Sequence, residues 1–262
     1  MAPILIEVSD DATVLAELLR IGVASLQNQL AANDSPDPLG QSAEVWRGAL
    51  AAFDAIVPTP DTLELIAANR EIARDYAAAF DRYAGDLQDS ETAEEGLDEF
   101  LAENDRLAEA ASDADALLQS QALDELDSRD TRSAAYVAAL TREEMASSDL
   151  LVEIFTALDR FEIDPLGTVI AMRAPVASLG DLGRVVAELT PPPAAELLHR
   201  RHVDLIVDYE ATFANLIESV EAGGADISLA VLEDLQTLSA EAPELNVDRT
   251  LFMAAVLAGE VI

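Results

Sequence analysis

The sequence predicts an all-α protein of helical bundles, made of two related units of about five helices each, with a short extended arm at each end. Three observations lead to this fold class. Apolar residues recur at intervals of three and four through most of the chain. Prolines and glycines gather between the periodic runs. Landmark residues of the first half recur 133 positions later.

The periodic runs predict helices in order along the chain, and local signals mark several of their starts. Asp37-Pro38 and Asp164-Pro165 each supply a capping carboxylate followed by a proline suited to the first helical turn. Thr141 and Glu144 have the spacing of a capping box. The predicted helices are 10–33, 38–56, 60–88, 91–110, 113–127, 142–162, 165–173, 181–189, 193–221, 227–240 and 248–259.

Two breaks in this order need comment. Pro175 predicts that one long helix is split into 165–173 and 181–189, because proline removes a helical hydrogen bond. The ends of the chain have no helical pattern: Ile4-Leu5-Ile6 and, more weakly, Val261-Ile262 resemble short strands. Because apolar ends are costly to leave in water, we expect them to be arms that pair with a neighbouring chain.

An internal duplication is predicted from the ordered recurrence of landmarks. Seven identities fall in positions 58–83 when the chain is shifted by 133 residues. The landmarks with aromatic rings and their neighbouring acids are Asp75, Tyr76 and Phe80, which recur as Asp208, Tyr209 and Phe213. The predicted units are residues 1–131 and 132–262, which either stand as two domains or pack as a single body.

The charge describes the solvent in which this protein works. The chain has 51 acidic and 15 basic residues, every basic residue is arginine, and the net charge is −36. Acidic side chains in this number repel one another, but at about 1 M salt screening limits that repulsion to distances of roughly 3 Å. The composition resembles that of proteins from extreme halophiles. A disordered acidic chain is the alternative, but 50% hydrophobic residues and a mean hydropathy of +0.16 favour a folded core.

Composition also excludes several functions. The absence of cysteine removes disulfides, thiolate metal sites and cysteine nucleophiles. The acidic balance argues against nucleic-acid partners and anionic membranes. We find no nucleophile elbow and no glycine-rich phosphate loop, so no residue is expected to be catalytic and no cofactor is expected. The expected location is a high-salt cytoplasm or a virion.

The histidines supply the remaining candidate residues. Glu196 and His199 have the Glu-x-x-His spacing that di-metal bundles use, but the chain has no second such pair. They stay low-ranking candidates for a metal or an enzymatic site. His202 aligns with Asn69, and both fall on an apolar stripe, which indicates a polar pair at the seam between helices. A surface position at the edge of that stripe is the alternative.

The function expected from the sequence is therefore interaction. We expect a non-enzymatic helical structural subunit with protein partners, through self-association or within a larger cellular or viral assembly. The competing class is a helical metal-binding protein or enzyme that uses Glu196 and His199.

Overall fold

A computed structural model describes residues 10–87, 93–223 and 229–261. It confirms the all-α prediction, because these residues form eight α-helices and one short 3-10 turn, without a strand. In the described part of the chain, no helix combines the length and hydropathy that a bilayer crossing requires.

The helices follow one another with short connections. They are α1 Asp11–Asn33, α2 Pro38–Ala55, α3 Leu63–Asp86, α4 Ala93–Asp127, α5 Arg132–Leu158, α6 Pro165–Glu188, α7 Glu196–Glu221 and α8 Leu229–Leu257. The 3-10 turn, Pro193–Ala195, precedes α7 directly.

The contacts of the chain divide it into two compact units. Unit 1 consists of residues 1–129 and 253–260, and unit 2 of residues 130–252 and 261–262. Within the described residues, α1–α4 lie in unit 1, while α5–α7 and most of α8 lie in unit 2. The expected count of about five helices per unit is not confirmed, because runs predicted as separate helices are continuous.

Two predicted helix starts are confirmed. The Asp37 carboxylate accepts a hydrogen bond from the Gly40 backbone N–H at 3.2 Å, and the Asp164 carboxylate accepts one from Gly167 at 2.9 Å. Each cap is followed by proline in the first turn of its helix. The side-chain oxygen satisfies an amide that the helix itself leaves unpaired, so the local sequence suffices to place these two starts.

The capping box predicted at Thr141 is wrong. Helix α5 begins ten residues earlier than predicted, where the hydroxyl of Thr131 accepts a hydrogen bond from the Ala134 N–H at 3.2 Å. Thr141 therefore lies inside the helix and is fully buried. Its hydroxyl and the Glu144 carboxylate serve tertiary contacts instead of a helix end.

The predicted helix breaks are also wrong. Within the described residues, 93–110 and 113–127 belong to one helix, α4, and prolines lie inside α6 and α8. Pro175 and Pro243 each free the carbonyl group four residues earlier. Those residues, Ala171 and Ser239, are exposed, so solvent can hydrogen-bond the freed carbonyl groups and the helices can continue.

Unit 1 closes around a cluster of aromatic rings. Helix α3 packs between α2 and α4, and α1 contacts both α2 and α4. The rings of Trp46 and Tyr76 stack with centroids 4.4 Å apart, and those of Phe80 and Phe100 lie 5.3 Å apart. Buried aromatic area of this kind is a main source of packing energy.

In unit 2, α6 packs between α5 and α7. The two helices α6 and α7 approach closely at Gly183, where an added Cβ would lie 3.1 Å from Cγ2 of Ile206. Phe213 on α7 is fully buried and stacks with Tyr209 at 6.0 Å. Helix α8 joins α7 through an ion pair of 2.6 Å between Arg201 and Asp248.

The predicted arms are largely outside the described residues. Ile4, Leu5 and Ile6 fall in the segment 1–9, and Ile262 is likewise outside. Val261 is described, has no regular structure and is half-buried. The proposal that these ends pair with a neighbouring chain therefore stays a prediction.

Candidate functional site

A cluster of polar side chains lies within unit 2, in which Thr141, His202 and Arg249 are buried, Glu144 is half-buried and Asn246 is exposed. It joins three helices and consists of Thr141 and Glu144 on α5, His202 on α7, and Asn246 and Arg249 on α8. We refer to it as the Arg249 cluster. Burying a polar group costs free energy unless the group has a hydrogen-bond partner, so the partners of each member of the cluster matter.

Arg249 is the centre of the cluster. Its side chain is only 4% exposed, and its guanidinium faces three different partners. Nη1 donates to Oγ1 of Thr141 at 3.0 Å, Nη2 donates to Oδ1 of Asn246 at 2.7 Å, and Nε forms an ion pair with Oε2 of Glu144. The guanidinium thereby links α8 to α5 through groups of fixed geometry.

His202 completes the cluster from α7. Its ring is 5% exposed, and Nδ1 lies 3.2 Å from the backbone carbonyl oxygen of Leu198, one turn earlier. Nε2 lies 3.5 Å from the same Glu144 oxygen that faces Arg249. An acceptor therefore stands beside each ring nitrogen, and the carboxylate of Glu144 is shared between an arginine and a histidine.

Helical spacing brings these side chains together. Thr141 and Glu144 are three residues apart on α5, and Asn246 and Arg249 are three apart on α8, so each pair shares a face. Arg249 occupies a core position of α8, four residues after the buried Leu245. In α4, Leu118 is likewise buried four residues after a buried residue, Ala114.

The chemistry of the Arg249 cluster is that of a structural ion pair. Removing one partner of such a pair leaves a desolvated charge, whereas replacing both partners by apolar residues is often neutral, so the pair is weak evidence of net stability. Among the described residues, no group of three or more histidine, aspartate or glutamate side chains is placed to hold a metal ion.

Glu196 and His199 are placed differently from each other. Glu196 is exposed in the first turn of α7, whereas His199 is half-buried and its ring lies edge-on to Tyr136, with centroids 6.0 Å apart. Burial, with a smaller contribution from the charge of His202, lowers the pKa of His199. Burial raises the pKa of Tyr136 to about 12. The Tyr136 hydroxyl has no hydrogen-bond partner within the described part of the chain.

The predicted seam pair, Asn69 and His202, shares one local contact. Nδ2 of Asn69 donates to the carbonyl oxygen of Leu65 at 2.9 Å, as His202 contacts the carbonyl group one turn earlier. The two differ in depth, because Asn69 is half-buried and His202 is buried. Their role in fixing register stays a prediction.

The landmark residues on α3 and α7 have similar aromatic contacts, but the acidic residues beside them differ. Tyr76 stacks with Phe80 at 6.4 Å, and Tyr209 stacks with Phe213 at 6.0 Å. The neighbouring acids diverge. Asp75 accepts a hydrogen bond from Arg106 at 3.2 Å, whereas Asp208 is exposed.

A second candidate feature is the solvent side of α6, which is apolar. Leu166, Ile170, Ala174 and Ala177 follow one another at steps of four, four and three, opposite the buried face of the helix. Leu166 is 58% exposed and Ile170 is 60% exposed. Ile163, in the turn just before the helix, is 88% exposed. We refer to these five residues as the outer face of α6.

The charge around this face is unusual for the chain. From residue 165 to residue 180 there is no acid, and Arg173 is the only charged side chain. Arg173 forms an ion pair with Glu221 on α7. A helix that is apolar on both sides is normally covered on both sides, so the outer face of α6 has the character of an interface.

Another long stretch of uncharged helix lies in α1. Residues 21–33 of α1 border a groove of about 530 Å³ between α1 and α2, in which Glu44 is the only charged lining residue. Leu26 and Leu30 are exposed there, but the amides Gln27 and Asn28 lie among them. This surface is therefore better solvated than the outer face of α6.

Comparison with protein-family models, with curated proteins and with solved structures finds no match for this chain.

Sequence reasoning missed both features of this site. Arg249 is separated from Thr141 by 108 residues, and no local pattern indicates that contact. The outer face of α6 did leave a signal, since a run of sixteen residues without an acid is conspicuous in a chain with 51 acids.

Proposed function

We propose that this protein is a non-enzymatic helical structural subunit that works by binding other protein chains in a high-salt environment. The observation that carries the proposal is the apolar outer face of α6. Isoleucine at 88% and 60% exposure and leucine at 58% are costly in a solvent that strengthens apolar association. Covering them with another protein removes that cost.

The solvent itself is part of the proposal. A net charge of −36 with arginine as the only basic residue suits molar salt, where the acids are screened from one another and stay hydrated. A high-salt cytoplasm and a virion assembled in one both supply this environment.

We also propose that the two units arose by duplication of one helical unit. Asp37 and Asp164 cap α2 and α6 through the same amide three residues later, and each is followed by proline. Helix α6 has 24 residues against 18 in α2, so the additional residues lengthen a helix instead of splitting it.

Burial supports the same correspondence in the last helix of each unit. Leu107, Ala114 and Leu118 of α4 are buried, and so are Leu238, Leu245 and Arg249 of α8. These positions are 131 apart, two fewer than the spacing that relates α3 and α7.

The mass of the purified chain in molar KCl tests the proposed function. Light scattering coupled to size exclusion should give a species heavier than 27.9 kDa, whose composition mass spectrometry then identifies. A monodisperse 27.9 kDa species at all concentrations, with stoichiometric iron, manganese or zinc that is lost in His199→Ala, would instead establish the metal-binding alternative at Glu196 and His199.

A further inference from the structure

We propose that the outer face of α6 binds the same face of a second copy of this chain, with the two α6 helices antiparallel about a twofold axis at Ile170. The inference rests on the proposed function and names the partner and the geometry. In a twofold contact, residue i of one chain contacts residue j of the other and residue j contacts residue i, so the same patch serves both chains.

The order of side-chain sizes along the face favours the antiparallel arrangement. Ile163, Leu166 and Ile170 are large, whereas Ala174 and Ala177 are small. About an axis at Ile170, Leu166 meets the alanine at position 174 of the second copy, and Ile163 meets the alanine at 177. Large side chains then fill the space beside small ones along the whole contact, as close packing requires.

A parallel pair would match large with large and small with small. The helices would be held apart near Leu166 and would leave a gap near Ala177. Antiparallel helices also bring opposite ends of their dipoles together, which a parallel pair does not.

Charge points to a second copy for a different reason. Two identical chains of net charge −36 repel each other wherever their acids meet. The outer face of α6 is a surface on which they approach without opposing acids. Of the charges at its border, Arg173 is paired with Glu221 and Asp181 with Arg184, the Asp164 carboxylate caps α6, and Glu162 is exposed beside Ile163.

The size of the face sets the expected strength. From Leu166 to Ala177 the face extends about 17 Å along the helix, and Ile163 lies in the turn that precedes it. One helix face of this length buries less than the roughly 800 Å² per partner of a standard interface. We therefore expect a dimer whose population rises with protein concentration and with salt, since salt strengthens apolar burial.

Single cysteines test the pairing directly, because the natural chain has none. In molar KCl with a short bis-maleimide, Ile170→Cys should cross-link to itself. Leu166→Cys and Ala174→Cys should cross-link efficiently only when the two variants are mixed. The matched control is Leu197→Cys on α7, where the leucine is 65% exposed, and it should not cross-link.

Introducing a charge into the face gives an independent test. Ile170→Glu places two carboxylates at the axis and should weaken the dimer by about 100-fold or more. Leu197→Glu should leave the mass unchanged. Helical content measured by circular dichroism shows whether each variant still folds. If Ile170→Glu does not fold, the cross-linking pattern of the cysteine variants alone tests the antiparallel dimer.

The outcomes separate this inference from the proposed function. Self-linking of Leu166→Cys without mixing would replace the antiparallel geometry with a parallel one and overturn the inference. An assembly that persists unchanged in Ile170→Glu, or one that contains a different protein on this face, overturns the inference and leaves the proposed function intact. A wild-type monomer without any bound protein overturns both.

Discussion

Replacing Glu144 with leucine would leave the guanidinium of Arg249, with 4% of its side chain exposed, without its carboxylate. Breaking a buried ion pair by removing one partner costs about 3–5 kcal/mol. Because the guanidinium is almost fully buried, we expect Glu144→Leu to lower the free energy of unfolding by about 4 kcal/mol.

Arg249→Leu should be milder. The Glu144 carboxylate that it leaves behind keeps 23% exposure and can be hydrated, so we expect a loss of about 2 kcal/mol. The double variant removes both charges and places a leucine at the buried position 249. Its stability should lie within about 1 kcal/mol of the wild type, because hydrophobic replacement of a buried pair is often neutral.

Urea denaturation followed by far-ultraviolet circular dichroism, at several concentrations of KCl, measures this cycle. The strong non-additivity should persist in molar salt, because buried pairs are screened far less than exposed ones. The single tryptophan, Trp46, lies in unit 1, so its fluorescence follows the unit that was not changed. Additive losses, with the double variant as unstable as the two singles together, would show that the cluster is not a coupled pair.

Three further changes have expected outcomes, all measured by urea denaturation. Tyr136→Phe removes a buried hydroxyl that lacks a hydrogen-bond partner among the described residues, so it should raise the free energy of unfolding by about 1 kcal/mol. Tyr209→Phe breaks a hydrogen bond with Ser239 and should lower the free energy of unfolding by about 1 kcal/mol. Pro175→Ala restores a helical hydrogen bond inside α6 and should stabilise by about 1–3 kcal/mol, while Pro165→Ala in the first turn should have almost no effect. Burial lowers the pKa of His199, so the unfolded chain binds a proton before the folded one does; stability should fall as pH drops below about 6.5, and this part of the loss should disappear in His199→Gln.

Each of these has a clear contrary result. Equal losses in the two tyrosine variants would mean that the Tyr136 hydroxyl is satisfied. A destabilised Pro175→Ala would mean that the proline fits its site better than alanine does. An identical acid dependence of the wild type and His199→Gln would remove His199 from the groups that respond to pH.

Local chemistry was predictable from the sequence, and long-range chemistry was not. The all-α class and the starts of α2 and α6 followed from periodicity and from Asp37 and Asp164, because a cap needs only its own next three residues. Thr141 and Glu144 match a capping box equally well, yet both face Arg249 across more than 100 residues of sequence. A local pattern cannot distinguish an oxygen that caps a helix from one that binds a distant guanidinium.

The helix break predicted at Pro175 was wrong for a related reason. Pro175 ends a helix only if the carbonyl group that it frees cannot find another partner, and the exposure of Ala171 decides that question. The outer face of α6 needed a different kind of reading. Apolar residues occur on all sides of this helix in the sequence, and only the position of the buried residues in the structure shows that a second apolar side stays exposed.

The Arg249 cluster also has a consequence for how this chain evolves. If either Glu144 or Arg249 is lost alone, the protein passes through a destabilised intermediate, whereas losing both returns it to a stable core. Single mutations therefore cannot easily undo the pair, although nothing in its net stability requires it. Descendants of this sequence should retain both residues or neither, and the pair should mark a lineage in the way that a shared insertion does.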